Sequence, residues 1–435
     1  MKKSWKSLKK NGKGGAKDSY KRLKKFSYTR GFFVLDNQVL LELAEKYGTP
    51  LYVYDYEIIE RNFKALRKEL SKHLVDFKIA YALKAAPLVD LCRFLNSMGA
   101  IFEAVSIGET YTALKADVEP SKILFDGVSK SPHEIRKAIE LGLQSIHVES
   151  LDEIFDVASE AERQRKVQNI GIRLNLDVEV ETHKGLKTST RYSKFGIPLY
   201  RFKANIEKVL GLKSISVKGL HFHLGSNLQS ERPYKEALKK ILELLRENEE
   251  LAENLTYIDV GGGFPAKLDK TLEIASKLGV WIRNVFLNEF PGLTIIVEPG
   301  RFLVAEAGVL LTRVNYVKEI YGKKWALVDA GMNDFIRPAL YGAKHNIECI
   351  SCRETRQETY SIGGPICEST DVFAENVNLP TLFRGDILVL KEAGAYGISM
   401  ASNYNQRPRP AVIGVYKGQV KFVKRRETIA ELLNL

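Results

Sequence analysis

Eight short apolar runs recur between residues 78 and 297: KIAYAL (78–83), AIFEAV (100–105), KILF (122–125), SIHV (145–148), IGIRLN (170–175), KGLHFHL (218–224), YIDV (257–260) and TIIV (294–297). Amphipathic helical patterns stand between most of them. Parallel strands need long, usually helical crossovers, and read as continuous apolar runs because both faces are covered. SPHEIRKAIELG (131–142) carries the helix signals: Ser131 to cap the start, Glu134 three residues on, Gly142 to end it. Eight such units over about 220 residues predict a closed (β/α)8 barrel, with an open doubly wound sheet as the alternative.

The texture changes on either side. LYVY (51–54) and a helical pattern near 56–73 precede the eight runs. After about residue 310 come VNYVKEI, KKWALVDAG, QETYSIGG, GDILVLKEAG and AVIGVYKGQVKFV, strands joined by tight turns, with YKGQ as a hairpin. RGFFVLDNQVL (30–40) is also strand-like and is available to the C-terminal sheet. The expected architecture is α/β, a (β/α)8 barrel plus a C-terminal all-β domain that also takes an N-terminal strand. Residues 1–28 form an arm, 29–50 a segment joining the β domain, 51–308 the barrel and 309–435 the β domain.

Charge locates the arm. The chain has 435 residues and a net charge of +13, of which residues 1–25 carry +10 with ten Lys, one Arg and one Asp. A Lys/Gly/Ser-rich stretch with few apolar residues is expected to be disordered and solvated, not a nucleic-acid site. No apolar run reaches membrane-spanning length and the N-terminus has no apolar signal core, so a cytoplasmic protein without membrane contact is expected. Four cysteines suit a reducing setting and give no disulfide framework. Cys349 and Cys352 form a C-x-x-C pair with only His345 nearby in sequence; a zinc site needs further ligands, so they read as ordinary cysteines and no metal is expected.

Barrel chemistry sits at the C-terminal ends of the strands. Lys84 follows the first run, SIGE (106–109) the second, and Arg173 and Asn175 the fifth. His223, Gly225 and Ser226 end the sixth, GGGFP (261–265) the seventh and EPGR (298–301) the eighth. Burial pushes a lysine's pKa down and frees its amine as a nucleophile. A glycine triplet offers backbone N–H groups to a phosphate, or is a plain turn. Glu298 is a core carboxylate paired with an arginine, or it holds a proton on a heterocyclic nitrogen. His223 is a satisfied strand histidine, or it stacks on a planar ring. Lysine, phosphate cradle and carboxylate together are what pyridoxal 5'-phosphate requires.

YALKA, HFHLGS, GGGFP, EPGR, CESTD and GAYGISMASNYNQRPRP, in that order, resemble the fold-type III pyridoxal-phosphate decarboxylases over roughly residues 30–430. The resemblance implies that Lys84 bonds the cofactor's aldehyde and His223 stacks on its ring. It implies that Glu298 keeps the pyridine nitrogen protonated, and that Ser226, Gly263, Gly300 and Tyr396 contact the phosphate region. Arg301, Arg337, Tyr341 and Tyr396 would hold the substrate. Cys367 would be an acid at the reacting carbon and Glu368 would read the distal amino group, both donated across a homodimer interface. The implied reaction converts meso-2,6-diaminopimelate to L-lysine and CO2, the last step of lysine biosynthesis. A sister reaction on ornithine, arginine, carboxynorspermidine or a carrier-bound amino acid is the alternative.

Overall fold

A computed structural model describes residues 36–180 and 191–434 of the chain. The expected basic arm lies outside the described residues. The strands, in chain order, are β1 (Leu51–Asp55), β2 (Phe77–Ala82), β3 (Ile101–Ala104), β4 (Ile123–Phe125), β5 (Ser145–Val148), β6 (Gln168–Asn175), β7 (Ile197–Pro198), β8 (Ile215–His221) and β9 (Tyr257–Asp259). There follow β10 (Thr294–Val297), β11 (Gly308–Ile320), β12 (Lys323–Val328), β13 (Ile347–Cys349), β14 (Gln357–Gly363), β15 (Val372–Pro380), β16 (Ile387–Leu390), β17 (Ala411–Tyr416) and β18 (Gln419–Lys424).

Eight parallel strands close on themselves in the order β2-β3-β4-β5-β6-β8-β9-β10, with β10 pairing back to β2. The closed barrel holds and the open sheet does not. The pleat divides each strand between two environments. Ile79, Tyr81, Phe102, Phe125 and Ile146 belong to the large core, whereas Ala80, Ile101, Leu124, Tyr257 and Ile296 form a small cluster of their own. Two glycines make that interior possible. A Cβ on Gly219 would strike the Tyr257 ring, and one on Gly171 would strike His147 and the Tyr257 hydroxyl. Tyr257 donates to Ser145 Oγ (2.8 Å) and lies 3.0 Å from His147 Nε2, so its buried hydroxyl is satisfied.

The helix over 131–142 starts as its sequence predicts. The Ser131 and Glu134 side chains form a reciprocal capping box over Pro132–Leu141, and Gly142 ends the helix in a left-handed conformation.

The second sheet runs β15-β14-β12-β11-β1-β17-β18, with β16 joining β11 to β13. Its N-terminal strand is β1, which pairs antiparallel with β11 and parallel with β17. LYVY was expected at the start of the barrel, and this is a correction. The reason is that β1 is covered on both faces. Leu51 and Val53 face one core and Tyr52 and Tyr54 the other, with the tyrosine hydroxyls donating to Asp334 O (2.7 Å) and Gly394 O (2.8 Å). RGFFVLDNQVL is a second correction. Its described part opens a helix, Asn37–Tyr47, capped by Asp36, which accepts from the Gln38 N–H. Val39, Leu40, Leu43 and Ala44 recur at helical spacing and pack against Leu51, Val309, Val389 and Ile413. The segment does join the β sheet, as a helix laid on it.

The cysteine reading is corrected too. Cys349 and Cys352 are joined by a disulfide where the chain turns after β13, which brings their Cα atoms to 5.7 Å. Among the described residues no helix is long and apolar enough to cross a membrane.

Candidate active site

Lys84 sits in a single 3-10 turn, Leu83–Ala85, directly after β2. The turn is held from the other sheet: the Tyr396 N–H donates to Ala85 O at 2.8 Å. Tyr396 has φ +59°, an uncommon conformation for a side chain of its size. A Cβ on Gly300 would press on Ala82 and Ala85 at 3.1 Å, so this glycine lets the EPGR loop pass close behind the lysine.

Lys84, His223, Ser226, Arg301, Arg337, Tyr341 and Tyr396 line one cavity of about 430 Å³. All seven were singled out in the sequence, and the fold brings them together from both sheets' loops. Glu298 lies next to this group, buried behind β10, with Oε2 3.9 Å from His223 Nδ1. Gly263 (φ +101°) stands where a Cβ would meet Gly225 O at 2.8 Å and the Tyr234 hydroxyl at 2.9 Å. Gly261 donates to Asp259 Oδ1 (2.9 Å) and Gly262 to His223 Nδ1 (3.1 Å). Cys367 and Glu368 do not reach the cavity of their own chain. Both are exposed; the Cys367 N–H donates to Asn405 Oδ1 (3.0 Å), and Glu368 accepts from the Tyr404 hydroxyl (2.5 Å).

The charges explain the protonation states. Burial works to lower Lys84, but Glu103, with Oε1 3.1 Å from Nζ, and then Glu298 outweigh it and hold the ammonium above the ordinary lysine value. This reverses the expectation that burial frees the amine. Burial, then Lys84, pushes His223 down to about 3, so its ring is neutral. Burial opposes a charge on Glu298, but His221 prevails and brings the carboxyl to about 2. Burial, with Arg301 nearby, lowers Arg337 to about 10. Arg301 donates twice to Ser226 Oγ (3.2 and 2.9 Å), and neither Arg301 nor Arg337 has an ion-pair partner among the described residues.

Sequence reasoning missed Glu103, Asp126, His147 and His221, and saw Arg173 at the rim without giving it a role. The signal was there. AIFEAV and SIHV each place one ionisable residue inside a short strand, and His221 lies two residues before His223.

These residues fit pyridoxal phosphate. Neither oxygen of the buried Glu298 lies within hydrogen-bond distance of a donor among the described residues, which suits a partner for a ring N–H. The neutral His223 ring and Lys84 share the cavity beside it.

A closed barrel with a lysine at its mouth and a curled sheet closing the site defines a class, and the comparisons agree with it. The family described as "Pyridoxal-dependent decarboxylase, pyridoxal binding domain" matches residues 56–305. The chain belongs to the pyridoxal-dependent decarboxylases, enzymes that use pyridoxal phosphate. Its relatives narrow the branch. It is 36% identical to the diaminopimelate decarboxylase of Aquifex aeolicus over 92% of this chain and 94% of that one. The structure of the Helicobacter pylori diaminopimelate decarboxylase complexed with L-lysine superposes with a TM-score of 0.84 at 33% identity, covering 91% of this chain and 98% of that one. The Methanocaldococcus jannaschii enzyme in co-complex with L-lysine gives 0.84 at 33%, covering 96% and 97%.

Proposed function

We propose that the chain decarboxylates meso-2,6-diaminopimelate to L-lysine and CO2, closing lysine biosynthesis. The observation that carries this is the pair Arg301 and Arg337, two guanidinium groups at one cavity with no ion-paired carboxylate among the described residues. Arg337 is buried, and its Cζ lies 5.7 Å from the rings of both Tyr341 and Tyr396. Cations in that setting require an anion, and a substrate with a distal carboxylate supplies it by a bidentate fork. A substrate whose far end is an ammonium would meet like charge. This favours diaminopimelate over ornithine or arginine.

Pyridoxal phosphate, when bound, supplies the electron sink that permits loss of CO2 from an amino acid. The chain does the rest. Lys84 would hold the cofactor by its aldehyde and give way to the substrate amine. Arg301 and Arg337 fix the distal carboxylate, so the carboxylate to be lost is held in one orientation. Glu298 would keep a proton on the pyridine nitrogen, and neutral His223 would pack against the ring. As CO2 departs, the bond's electron pair stays with the substrate Cα, which takes a proton from Cys367.

Cys367 and Glu368 are exposed and away from their own cavity, which supports a homodimer in which each chain completes its partner's site. The test is CO2 release from the purified protein with pyridoxal phosphate, offering meso-diaminopimelate, L-ornithine, L-arginine and L-lysine side by side. Preference for meso-diaminopimelate with L-lysine as product is expected. Preference for ornithine or arginine moves the chain to a sister branch.

A further inference from the structure

Below the cavity the barrel interior holds ionisable groups that the decarboxylation chemistry does not use directly. Asp126, His147, His221 and Glu298 are each 2% exposed or less, and their polar atoms lie within 4.8 Å of one another. Such burial is costly unless the charges are matched. Here His221 stands between the two acids: Nδ1 is 3.3 Å from Asp126 Oδ1 and Nε2 is 3.6 Å from Glu298 Oε2. Among the described residues Asp126 Oδ1, both His221 nitrogens and both Glu298 oxygens have no hydrogen-bond partner, so charge is what these contacts offer one another.

The surroundings single His221 out as the cation. His147 stacks on it at 4.7 Å between ring centroids, with Nε2 tied to the Tyr257 hydroxyl and Nδ1 3.6 Å from Asp126. Burial, outweighing Asp126, leaves His147 below the ordinary histidine value. For His221 burial also opposes the charge, but Asp126 and then Glu298 prevail and raise it well above that value. Arg173, across from His221 on β6, already serves Asp126 (3.3 Å) and Glu149 (2.6 Å). Asp259, across from it on β9, is pushed up by burial and by Glu298, toward the neutral acid. Lys84 also stabilises the Glu298 anion, but Lys84 is the group that bonds the cofactor.

We propose that His221 is a positioning residue: as an imidazolium bridging Asp126 and Glu298, it keeps Glu298 a carboxylate and turns it toward the cofactor's ring nitrogen. Without that charge, a buried carboxyl beside Asp126 takes up a proton, and a neutral acid no longer holds the ring nitrogen's proton. His221 therefore sets how strongly the bound cofactor withdraws electrons, without touching substrate. The inference rests on the reading of Glu298 as the nitrogen's partner and is independent of which amino acid is decarboxylated.

The experiment begins with the cofactor-free full chain. Side-chain 15N NMR of the histidines, assigned by loss of signal in His221→Asn, is expected to show both His221 nitrogens protonated from pH 6 to 9. A neutral His221 at pH 8 overturns the proposal. If His221→Asn does not fold, assignment by Asp126→Asn, which shifts the neighbouring resonance, serves the same reading. In the holoenzyme His221→Asn is expected to weaken pyridoxal-phosphate binding about tenfold and to lower kcat about 10–100-fold, with KM within roughly threefold. Unchanged cofactor affinity together with unchanged kcat overturns it. Absence of turnover on every amino acid tested would instead strike the substrate reading, while the NMR and cofactor titration still decide this one.

Discussion

The Lys84 ammonium lies 3.1 Å from Glu103 Oε1, joining the turn after β2 to the neighbouring β3. Glu103 is fully buried, whereas the Lys84 side chain keeps 32% exposure toward the cavity. Burial lifts the Glu103 carboxyl to about 8 against the pull of Lys84, so the acid becomes a full anion only toward alkaline pH, behind a lysine that faces the site. It stabilises the resting ammonium, and the ammonium cannot attack an aldehyde.

Cofactor capture should therefore depend on pH. With the lysine held above its ordinary value, the free amine is scarce at neutral pH and grows about tenfold per pH unit below that value. Association of pyridoxal phosphate with the cofactor-free protein, followed by absorbance, is expected to accelerate from pH 7 to 9. Glu103→Gln removes the anion, lowers the lysine and should speed capture at about pH 8–9, where the acid is ionised. A pH-independent rate, or a Gln variant as slow as the parent, contradicts this account.

Arg337 should govern substrate choice more than chemistry. Hydrogen bonds to charged groups contribute about 1.5–3 kcal/mol, or roughly 10–150-fold. Arg337→Met is expected to raise KM for meso-diaminopimelate by that factor, with kcat changed less. It should also narrow the preference over L-ornithine, whose far end carries no carboxylate. Loss of kcat at unchanged KM would mean that Arg337 serves the reaction and not the distal group.

Much of this was legible because strands and their ends obey simple rules. Eight apolar runs with helical spacers point to the barrel, and the residues at the C-terminal end of each run place Lys84, His223, Ser226 and Arg301 on one rim, where the fold has them. The misses have a common origin. LYVY is apolar at every position, so its sequence does not say which sheet buries it; pairing with β11 and β17 decides that. Asn37–Tyr47 has a helical period that its first residues share with a strand. Glu103, Asp126 and His221 escaped because local sequence suggests that an acid or histidine will reach solvent, and only the closed barrel turns them inward on one another. The direction of the Lys84 shift was misjudged for the same reason: burial is visible in a sequence, whereas a carboxylate on the next strand is not.

The packing of the interior gives a stability prediction. Gly219 faces the Tyr257 ring with no room for a methyl group. Gly219→Ala must displace a ring that is hydrogen-bonded to Ser145 and His147. A cost of about 1–3 kcal/mol is expected from overpacking alone, read as a lowered denaturation midpoint. Gly142→Ala, at a left-handed helix end with nothing near the added methyl, should cost less. Equal effects would show that interior crowding is not the determinant.

Cys367 supplies the last prediction, and it concerns assembly as much as chemistry. Its thiol is exposed on its own chain, so a direct role at the substrate Cα requires a second subunit. Cys367→Ala should lower kcat by about 10²–10⁴-fold if the thiol delivers the proton. Lys84→Ala should abolish turnover and the absorbance of lysine-bound cofactor. Each variant alone spoils both sites of a homodimer. A heterodimer of the two collects both lesions in one site and leaves the other intact. Mixing equal amounts with full subunit exchange therefore predicts recovery of roughly a quarter of the wild-type activity per chain, because half the dimers are mixed and each has one good site. Activity should rise with the time course of exchange and vanish if the dimers are cross-linked beforehand. Exchange without recovery would place Cys367 outside the site and return the proton to a group of the same chain, with Lys84 the nearest candidate.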